Sequence, residues 1–455
     1  MRFVGCGYSQ RAGVDYHEIW APCPARATVR AVLAYAAAHD LELDTVDIKT
    51  AYLNAPMDTE VYVDLPKGYS GGGPDTVAKL RSALHGTRQA GRLLSEHLCA
   101  KLTATGAQRS VADPTLYLWS LPDLGRALVL AHVDDLAILG QTRAAVDAAK
   151  ATILTRYKGR DQGHAATFLG MRIVRGRERR TLTISCPGLI KGVINTFGMA
   201  EAHPAKIPLP PGTALTRTDA LPLDDSGRYQ ELVGSLLYLT VTVRPDIAFA
   251  KNALARHMSR STEPLWRAAK DVVRYLAGTV SLGLKYGGPG ELEGAVDADF
   301  NGCPDTRRST TGGAFIYHGG ATSWSSKRQP TVACSTAEAE YIAAAAATRD
   351  ALWLKKLMQD LGEADRPVPM VEDDMVCLAL IANPEGTGRV KHIDTAHHFV
   401  RERAALSEVK SHYQPGSELV ADGLAKALAG PALMAFRHRL GTVEVGEPTE
   451  QPTAE

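Results

Sequence analysis

Two adjacent aspartates, Asp134 and Asp135, lie inside the otherwise apolar stretch LVLAHVDDLAILG at residues 128–140. An ionised carboxylate beside apolar strands is costly unless a partner compensates its charge. A hard divalent cation is such a partner, because Mg²⁺ prefers carboxylate oxygens together with substrate phosphates. Asp47, which follows the alternating segment LDTV, is the candidate third ligand from a neighbouring strand. At this point a metal site and a plain polar turn both explain the pair.

A sheet must hold these aspartates. Residues 41–53 alternate apolar and polar side chains and predict a strand that enters a turn. Residues 127–139, ALVLAHVDDLAIL, predict a hairpin with the aspartate pair at its tip. Residues 26–40, 79–105 and 143–157 repeat apolar side chains at helical spacing. This alternation favours an α+β domain that ends near residue 185.

The second half of the chain follows a different pattern. Residues 204–227 are rich in proline and polar side chains and predict a linker, and residues 228–279 predict helices. Strands are expected from about residue 292, followed by a long helix over 336–361. Ser335 and Glu338 form a capping box that marks the start of this helix.

Composition restricts the possible function classes. The formal net charge of the 455 residues is +1, so bulk charge does not point to nucleic-acid binding. No run reaches the roughly 18 apolar residues that a membrane span requires, and the first residues lack the apolar core of a signal peptide. We therefore expect an intracellular protein without a membrane partner. The seven cysteines are scattered without zinc-ligand spacing, which favours free thiols.

Ten segments resemble, in the same order, the Pol polyprotein of copia-type LTR retrotransposons. Six resemble its reverse transcriptase: GYSQRAGVDYHEIWAP, TVDIKTAYLNAPMDTEVYVDLPKGY, LHGTRQAGR, HVDDLAI, FLGMRI and YQELVGSLLYLTVTVRPDIAFA. Four resemble its ribonuclease H: AVDADFNGCPDTRRSTTGGAF, SWSSKRQPTVACSTAEAEYIAA, RVKHIDTAHHFVRE and ELVADGLAKAL. Each segment alone is a weak signal, so the resemblance, which spans about residues 2–430, rests on their order.

The resemblance implies an α+β protein. A right-hand polymerase with palm and fingers would be followed by a helical connection and then by a ribonuclease H-like α/β domain. The implied boundaries are 1–185 for fingers and palm, beginning inside the fingers; 186–290 for a thumb- or connection-like helical region that contains the linker 204–227; 291–430 for the ribonuclease H-like domain; and 431–455 for a disordered tail.

The resemblance also implies a catalytic carboxylate cluster in the first domain. Asp47 and Asp134 would be the main ligands of two Mg²⁺ or Mn²⁺ ions, with Asp135 in support. When a primer 3′-OH attacks a nucleotide α-phosphate, two such ions about 4 Å apart stabilise the attacking and leaving oxygens. The implied substrates are an RNA template, a DNA primer and dNTPs.

Four further residues match the nucleotide site of the family. Tyr52 matches the position whose ring crowds the sugar 2′ carbon and excludes ribonucleotides; the alternative is an ordinary packed aromatic. Arg88 and Gln89 match the region that lines the incoming nucleotide, and Arg2 matches a fingers residue that meets its triphosphate. Each of these three also has an alternative interpretation as a surface polar residue.

A second carboxylate set matches the ribonuclease H site. Asp297 on a first strand, Glu340 on the capped helix, Asp373 at a strand end and Asp422 on the last helix would hold two further metal ions. The implied substrate is an RNA–DNA hybrid, recognised through its 2′-OH groups and A-like shape. Taken singly, acidic residues on helices are more often solvated. His398 matches a position that would assist product release, with a surface histidine as the alternative.

Several positions depart from the family pattern. His132 stands where tyrosine usually precedes Val-Asp-Asp, and Thr87 and Leu94 replace the usual leucine and tryptophan. All seven expected carboxylates remain, so we expect RNA-directed DNA synthesis with removal of the template RNA. A catalytically inert retroelement remnant and a host-adopted ribonuclease H fold are the alternatives. The family implies a cytoplasmic, virus-like-particle location or a nuclear one; the oligomeric state stays open.

Overall fold

The computed structural model describes residues 3–446 except 67, 70, 72, 74, 75, 214, 217–221 and 383–397. The chain divides into two compact units. The first unit contains Met1–Ala25 and Asp40–Phe168, and the second unit contains Arg26–His39 and Leu169–Glu455. Both mix helices with sheets, which agrees with the expected mixed α and β composition.

The bounds of the elements are as follows. The helices are α1 (Arg26–Ala38), α2 (Ala90–Thr103), α3 (Arg143–Leu154), α4 (Pro187–Thr196), α5 (Ser226–Thr242), α6 (Ala248–Ala255), α7 (Glu263–Ala277), α8 (Thr336–Leu361), α9 (Met375–Ala382), α10 (Phe399–Ala405), α11 (Asp422–Ala425) and α12 (Gly430–Arg439). The strands are β1 (Glu42–Ile48), β2 (Tyr62–Asp64), β3 (Val77–Lys79), β4 (Gln108–Arg109), β5 (Leu116–Leu121), β6 (Gly125–His132), β7 (Asp135–Gly140), β8 (Gly159–His164), β9 (Thr167–Phe168), β10 (Met171–Gly176), β11 (Thr181–Ser185), β12 (Leu282–Tyr286), β13 (Glu293–Ala298), β14 (Thr310–Tyr317), β15 (Gly320–Arg328), β16 (Val368–Glu372), β17 (Val409–Tyr413) and β18 (Thr442–Glu444).

The first unit is built on a six-stranded sheet with the order β4-β5-β6-β7-β1-β8. Strand β7 pairs antiparallel with both β6 and β1, so the predicted hairpin and the predicted aspartate strand are neighbours. Alternate apolar residues of these strands, such as Val46, Val129 and Ile138, form one core with Leu98 of α2 and Ile153 of α3. Burying each such side chain stabilises the fold by about 1.5–3 kcal/mol, which holds the sheet rigid.

A buried ion network fixes α3 against β1. Arg143 donates to both carboxylate oxygens of Asp44 at 2.9 and 2.7 Å, and Lys150 donates to the same group at 2.6 Å. Burial alone would raise the pKa of Asp44, but the hydrogen bonds from Arg143 and Lys150 hold it below its ordinary value. The network therefore keeps Asp44 ionised at the end of β1 opposite to Asp47.

The predicted helix over residues 79–105 was too long at its start. Residues 77–79 are strand β3, and the helix begins only at Ala90. The segment between them runs beside the N-terminal residues, because Gly5 donates to the carbonyl of His85 and Gly7 to that of Gly86. Gly86 has a φ of 93°, which glycine adopts readily and other residues rarely do.

The second unit contains a five-stranded sheet with the order β15-β14-β13-β16-β17. Strands β13, β14 and β15 pair antiparallel, whereas β13, β16 and β17 pair parallel. Helix α8, 26 residues long, packs on β13 and β14 and begins where the capping box predicts, since Ser335 Oγ accepts from the backbone N–H of Glu338. A second sheet of this unit places β18, β12, β11 and β10 in that order. Among the described residues, none of the helices combines the length and apolar character that crossing a bilayer requires.

Candidate active sites

A tight hairpin presents the aspartate pair of the first unit. His132 on β6 pairs with Asp135 on β7, so only Val133 and Asp134 form the turn between them. Val133 has a φ of 56°, a left-handed conformation that costs a residue with a side chain roughly 1–2 kcal/mol. Strained residues of this kind cluster at functional sites. The strained turn leaves Asp134 exposed at the tip and places Asp135 half-buried at the start of β7.

Asp47 completes this first cluster from the adjacent strand. It lies directly opposite Asp135 in the β1–β7 pairing, and the N–H of Ile48 donates to the carbonyl of Asp134 at 2.8 Å. Directly opposed residues of antiparallel strands have Cα atoms about 4.5–5.5 Å apart. Burial, followed by the negative charges of Asp134 and Asp47, raises the pKa of Asp135. The charges of Asp47 and Asp134 thus act on Asp135 at the same end of the paired strands, and carboxylate oxygens are ligands that suit a hard divalent cation. Among the described residues, however, the ligand oxygens of these three aspartates do not all lie within 4.8 Å of one another.

A cavity next to this cluster contains Tyr52. The 3₁₀ turn Ala51–Asn54 follows β1 and directs Tyr52 into a cavity of about 520 Å³, which Asp134, Phe3 and Leu84 also line. The ring of Tyr52 lies 5.5 Å from that of His85, centroid to centroid. The volume lies within the range of about 300–1,000 Å³ that is usual for small-molecule pockets. Tyr52 and a predicted metal ligand thus share one cavity.

Gln89 and Arg88 lie at the start of α2 and differ in their surroundings. Gln89 is fully buried; its amide nitrogen donates to Asp15 O at 2.9 Å, and its amide oxygen accepts from Gln10 at 3.1 Å. Arg88 is exposed and its Nε donates to Gly7 O at 2.9 Å. In this structure the amide of Gln89 connects N-terminal segments to α2, whereas part of the Arg88 guanidinium faces outward. The fourth predicted nucleotide-site residue, Arg2, lies outside the described residues.

The second unit brings three predicted carboxylates together. Ligand oxygens of Asp297, Glu340 and Asp373 all lie within 4.8 Å of one another. Asp297 lies on the central strand β13, and Asp373 follows the parallel neighbour β16. Helix α8 packs on β13 and contributes Glu340 from its first turns. A strand, a strand end and a helix therefore converge at one point.

Burial dominates the electrostatics of this second cluster. Asp297 is 4% exposed and Glu340 is 6% exposed. Burial raises the pKa of Asp297 to about 7, and burial followed by the charge of Asp297 raises the pKa of Glu340 to about 10. Asp297 Oδ2 and Glu340 Oε2 are buried without a hydrogen-bond partner in the described part of the chain. Converging buried oxygens without donors fit a divalent cation, which would satisfy them.

Asp422 lies near this cluster but in a different element from the one predicted. It is the first residue of the short helix α11, and α12 follows, so Asp422 is not on the last helix. Its negative charge raises the pKa values of Asp297 and Asp373, which places it in their surroundings. Asp422 also forms an ion pair with Lys426, whose charge acts on Asp297 in the opposite direction.

Sequence reasoning missed Glu372, a further acidic residue at this site. It ends β16, is 1% exposed, and its Oε1 has no hydrogen-bond partner among the described residues. Burial raises its pKa to about 8. The available signal was its position at the end of an apolar strand directly before Asp373. His398, by contrast, contacts the hydroxyl of Tyr341 through Nδ1 at 3.2 Å, just before α10.

Comparisons with known proteins identify the family. Residues 1–211 match the family model described as reverse transcriptase (RNA-dependent DNA polymerase). The chain is 34% identical, over 94% of its length, to the retrovirus-related Pol polyprotein from transposon TNT 1-94 of Nicotiana tabacum, of which it covers 33%. It is also 32% identical to a transposon Ty5-1 protein of Saccharomyces cerevisiae, over 66% of this chain and 98% of that one. The chain belongs to the Pol proteins of copia-type retrotransposons. The resemblance inferred from the ten segments is thereby confirmed.

A third relative, like the tobacco polyprotein, is matched along nearly all of this chain but along only about a third of its own length. The retrovirus-related Pol polyprotein from transposon RE1 of Arabidopsis thaliana is 32% identical over 98% of this chain and 30% of that protein. The copia-type chain described here thus spans about a third of the length of the Pol polyproteins that it matches.

Proposed function

We propose that this chain is an RNA-directed DNA polymerase with a linked ribonuclease H. The sheet β4-β5-β6-β7-β1-β8 would be the palm, and the sheet β15-β14-β13-β16-β17 with α8 would be the ribonuclease H-like domain. The observation that carries the proposal is that the fold brings carboxylates far apart in sequence near one another at two separate places. Asp47 opposes Asp135 across paired strands, and Asp297 and Glu340 lie with Asp373 within 4.8 Å.

In the polymerase site, the chain's own residues would position the substrates. Asp47 and Asp134 would be the main ligands of two Mg²⁺ or Mn²⁺ ions, with Asp135 in support. When bound, such ions stabilise negative charge on the attacking and leaving oxygens of phosphoryl transfer. Tyr52 would form the wall of the cavity beside Asp134 and exclude a ribose 2′-OH by contact. The strained backbone at Val133 would hold the carboxylate of Asp134 in one orientation.

In the ribonuclease H site, buried carboxylates would hold a second pair of ions and the RNA strand of a hybrid. Asp297, Glu340 and Asp373 would be direct ligands, with Asp422 at the margin beside Lys426. Because burial raises the pKa of Glu340 to about 10 and that of Asp297 to about 7, Glu340 keeps its proton at neutral pH without a cation, whereas Asp297 is only partly protonated there. Coupled proton release on cation binding is therefore expected.

Primer extension tests the polymerase part. The chain is incubated with an RNA template, a DNA primer, dNTPs and Mg²⁺, beside Asp134→Asn and a matched control, Asp123→Asn. Asp123 is an exposed aspartate in the β5–β6 turn of the same sheet. We expect Asp134→Asn to reduce extension by about 100-fold or more, because several kcal/mol of charge stabilisation are lost, and the control to extend like the wild type. Equal extension by wild type and Asp134→Asn removes the polymerase claim.

Cleavage of an RNA–DNA hybrid tests the second part. We expect Asp297→Asn to abolish cleavage while leaving extension unchanged. An inert remnant would instead bind a hybrid in a salt-dependent manner and do neither reaction. Cleavage without extension would favour a host-adopted ribonuclease H fold. We also propose the location that the family implies, which is the cytoplasm, in a virus-like particle, or the nucleus.

A further inference from the structure

A second group of possible metal ligands lies in the second unit, away from the carboxylates described above. Its members are His39, His318 and Glu363, each of which offers one ligand atom within 4.8 Å of the others. His39 Nε2 lies 3.3 Å from Glu363 Oε1, and His318 Nε2 lies 3.9 Å from the same oxygen. The side chains of His39, His318 and Glu363 are 45%, 17% and 30% exposed, so the group is open to solvent on one side.

The backbone holds each of the three residues in a defined position. His39 follows α1; its N–H donates to Tyr35 O at 3.0 Å, and its ring lies 4.1 Å from the ring of Tyr35. His318 and Gly319 form the two-residue turn between β14 and β15, with φ values of 49° and 80°, as a type I′ turn requires. Three segments distant in sequence therefore present their side chains from fixed positions.

Glu363 is positioned by the end of α8. Gly362 has a φ of 96° and donates to Gln359 O, and the N–H of Glu363 donates to Met358 O at 2.9 Å. This pair of bonds is the Schellman motif, which fixes the first residue after the glycine. The hydroxyl of the buried Tyr317 donates to Glu363 Oε1 at 2.7 Å and so orients the carboxylate.

Among the described residues, one ring nitrogen of the group has no hydrogen-bond partner. His318 Nε2 is buried and has no hydrogen-bond partner within the residues that the structure describes. Such a nitrogen can present its lone pair to a cation when the proton lies on the other ring nitrogen. His39 Nε2 lies 3.3 Å from Glu363 Oε1, so metal binding at His39 requires the tautomer in which Nε2 carries no proton.

We propose that His39, His318 and Glu363 bind a zinc-type transition-metal ion. Imidazole nitrogen together with carboxylate oxygen suits zinc, whereas Mg²⁺ prefers an all-oxygen octahedron. Zinc bonds of about 2.0–2.1 Å in a tetrahedron place ligand atoms about 3.4 Å apart, close to the 3.3 and 3.9 Å seen here. Because His39 and Glu363 are partly exposed, the fourth position would be open to a solvent water. The ion connects the end of α1 to the β14–β15 turn and to the end of α8.

The neighbouring cations Lys355 and Arg366 form ion pairs with carboxylates other than Glu363. Lys355 and Arg366 line a cavity together with His318 and Glu363. Lys355 pairs with Asp365 at 2.9 Å, and Arg366 pairs with Glu291. The alternative is a hydrogen-bonded cluster in which protonated His39 pairs with Glu363 and no metal binds.

Zinc titration of the full chain tests the proposal. The metal-free protein is titrated with Zn²⁺ in a competition assay against a chromophoric chelator, with millimolar Mg²⁺ present to occupy the carboxylate clusters. The variants are His318→Ala, Glu363→Gln and Tyr317→Phe, and His438→Ala is the matched control because His438 is an exposed histidine of the same unit. Circular dichroism checks that each variant is folded.

We expect one site whose Zn²⁺ affinity falls by about 100-fold or more in His318→Ala and Glu363→Gln. Loss of the orienting hydroxyl in Tyr317→Phe is expected to cost roughly 10-fold, and His438→Ala should bind like the wild type. Absence of zinc binding, or binding that the His318 and Glu363 substitutions leave unchanged, overturns the proposal. Such binding would then belong to other groups such as the exposed cysteines Cys6, Cys23 and Cys334. No readout depends on DNA synthesis or hybrid cleavage, so the outcome is independent of the proposed function.

Discussion

Replacing Glu340 with glutamine should stabilise the metal-free protein at neutral pH. Glu340 is 6% exposed, and burial together with the charge of Asp297 raises its pKa from the ordinary 4.5 to about 10. The folded state therefore keeps a proton that the unfolded chain releases. Since the folded state binds more protons, the free energy of unfolding must fall as the pH rises from about 4.5 towards about 10. Glutamine is neutral and of similar shape, and it avoids this loss.

The size of the effect follows from the pH interval. At pH 7 the unfolded glutamate is about 2.5 pH units above its ordinary pKa of 4.5, and each unit corresponds to about 1.4 kcal/mol. Compared with its value at low pH, the free energy of unfolding of the wild type is thus lower by about 3 kcal/mol at pH 7, but by less than about 1 kcal/mol at pH 5. We expect Glu340→Gln to be more stable than the wild type by amounts of this order, with the difference growing over that range.

Urea unfolding in EDTA, followed by circular dichroism at pH 5, 6 and 7, measures the effect. Glu231→Gln, at an exposed glutamate of α5, is the matched control and should leave stability nearly unchanged at each pH. Added Mg²⁺ should stabilise the wild type more than Glu340→Gln, because the variant lacks one proposed ligand. The reasoning is refuted if Glu340→Gln is less stable than the wild type at pH 7, or if its advantage is equally large at pH 5.

Two further predictions concern other parts of the chain. Tyr52→Val should let the polymerase insert ribonucleotides at least about 10-fold more readily relative to deoxyribonucleotides. The substitution removes a whole ring from the pocket wall, and a change of a single methylene already alters discrimination by about 10-fold or more. Extension with rNTPs and with dNTPs measures this, and unchanged discrimination would show that Tyr52 is only a packed aromatic. Asp246→Asn should destabilise the second unit by about 3–5 kcal/mol, because Asp246 accepts two hydrogen bonds from the buried Arg244 at 2.9 and 2.7 Å. Urea unfolding tests it, and a loss below about 1 kcal/mol would contradict the importance of the pair.

Local sequence signals predicted the elements that carry the carboxylates. Alternating side chains predicted β1, because a strand with one buried face must alternate, and an apolar run broken by the aspartate pair predicted the β6–β7 hairpin. Ser335 and Glu338 predicted the start of α8, and the helix covers Thr336–Leu361, the range expected from the sequence. Caps and alternation act over a few residues, so they can be recognised in a single sequence.

Features that depend on distant contacts could not be predicted in this way. Helix α1 precedes β1 by only a few residues, yet it belongs to the second unit, where Arg30 donates to Thr322 O at 2.7 Å and stacks over Trp324. The convergence of His39 with His318 and Glu363 likewise results from packing between segments remote in sequence. No spacing in the chain indicates such pairs.

The most direct test of the two-cluster account is a crossed experiment with Asp47→Asn and Asp297→Asn. Each variant is assayed for extension of a DNA primer on an RNA template and for cleavage of an RNA–DNA hybrid, both with Mg²⁺. The account predicts that Asp47→Asn loses extension and keeps cleavage, and that Asp297→Asn loses cleavage and keeps extension. Variants that retain both activities, or a wild type that shows neither, would contradict it.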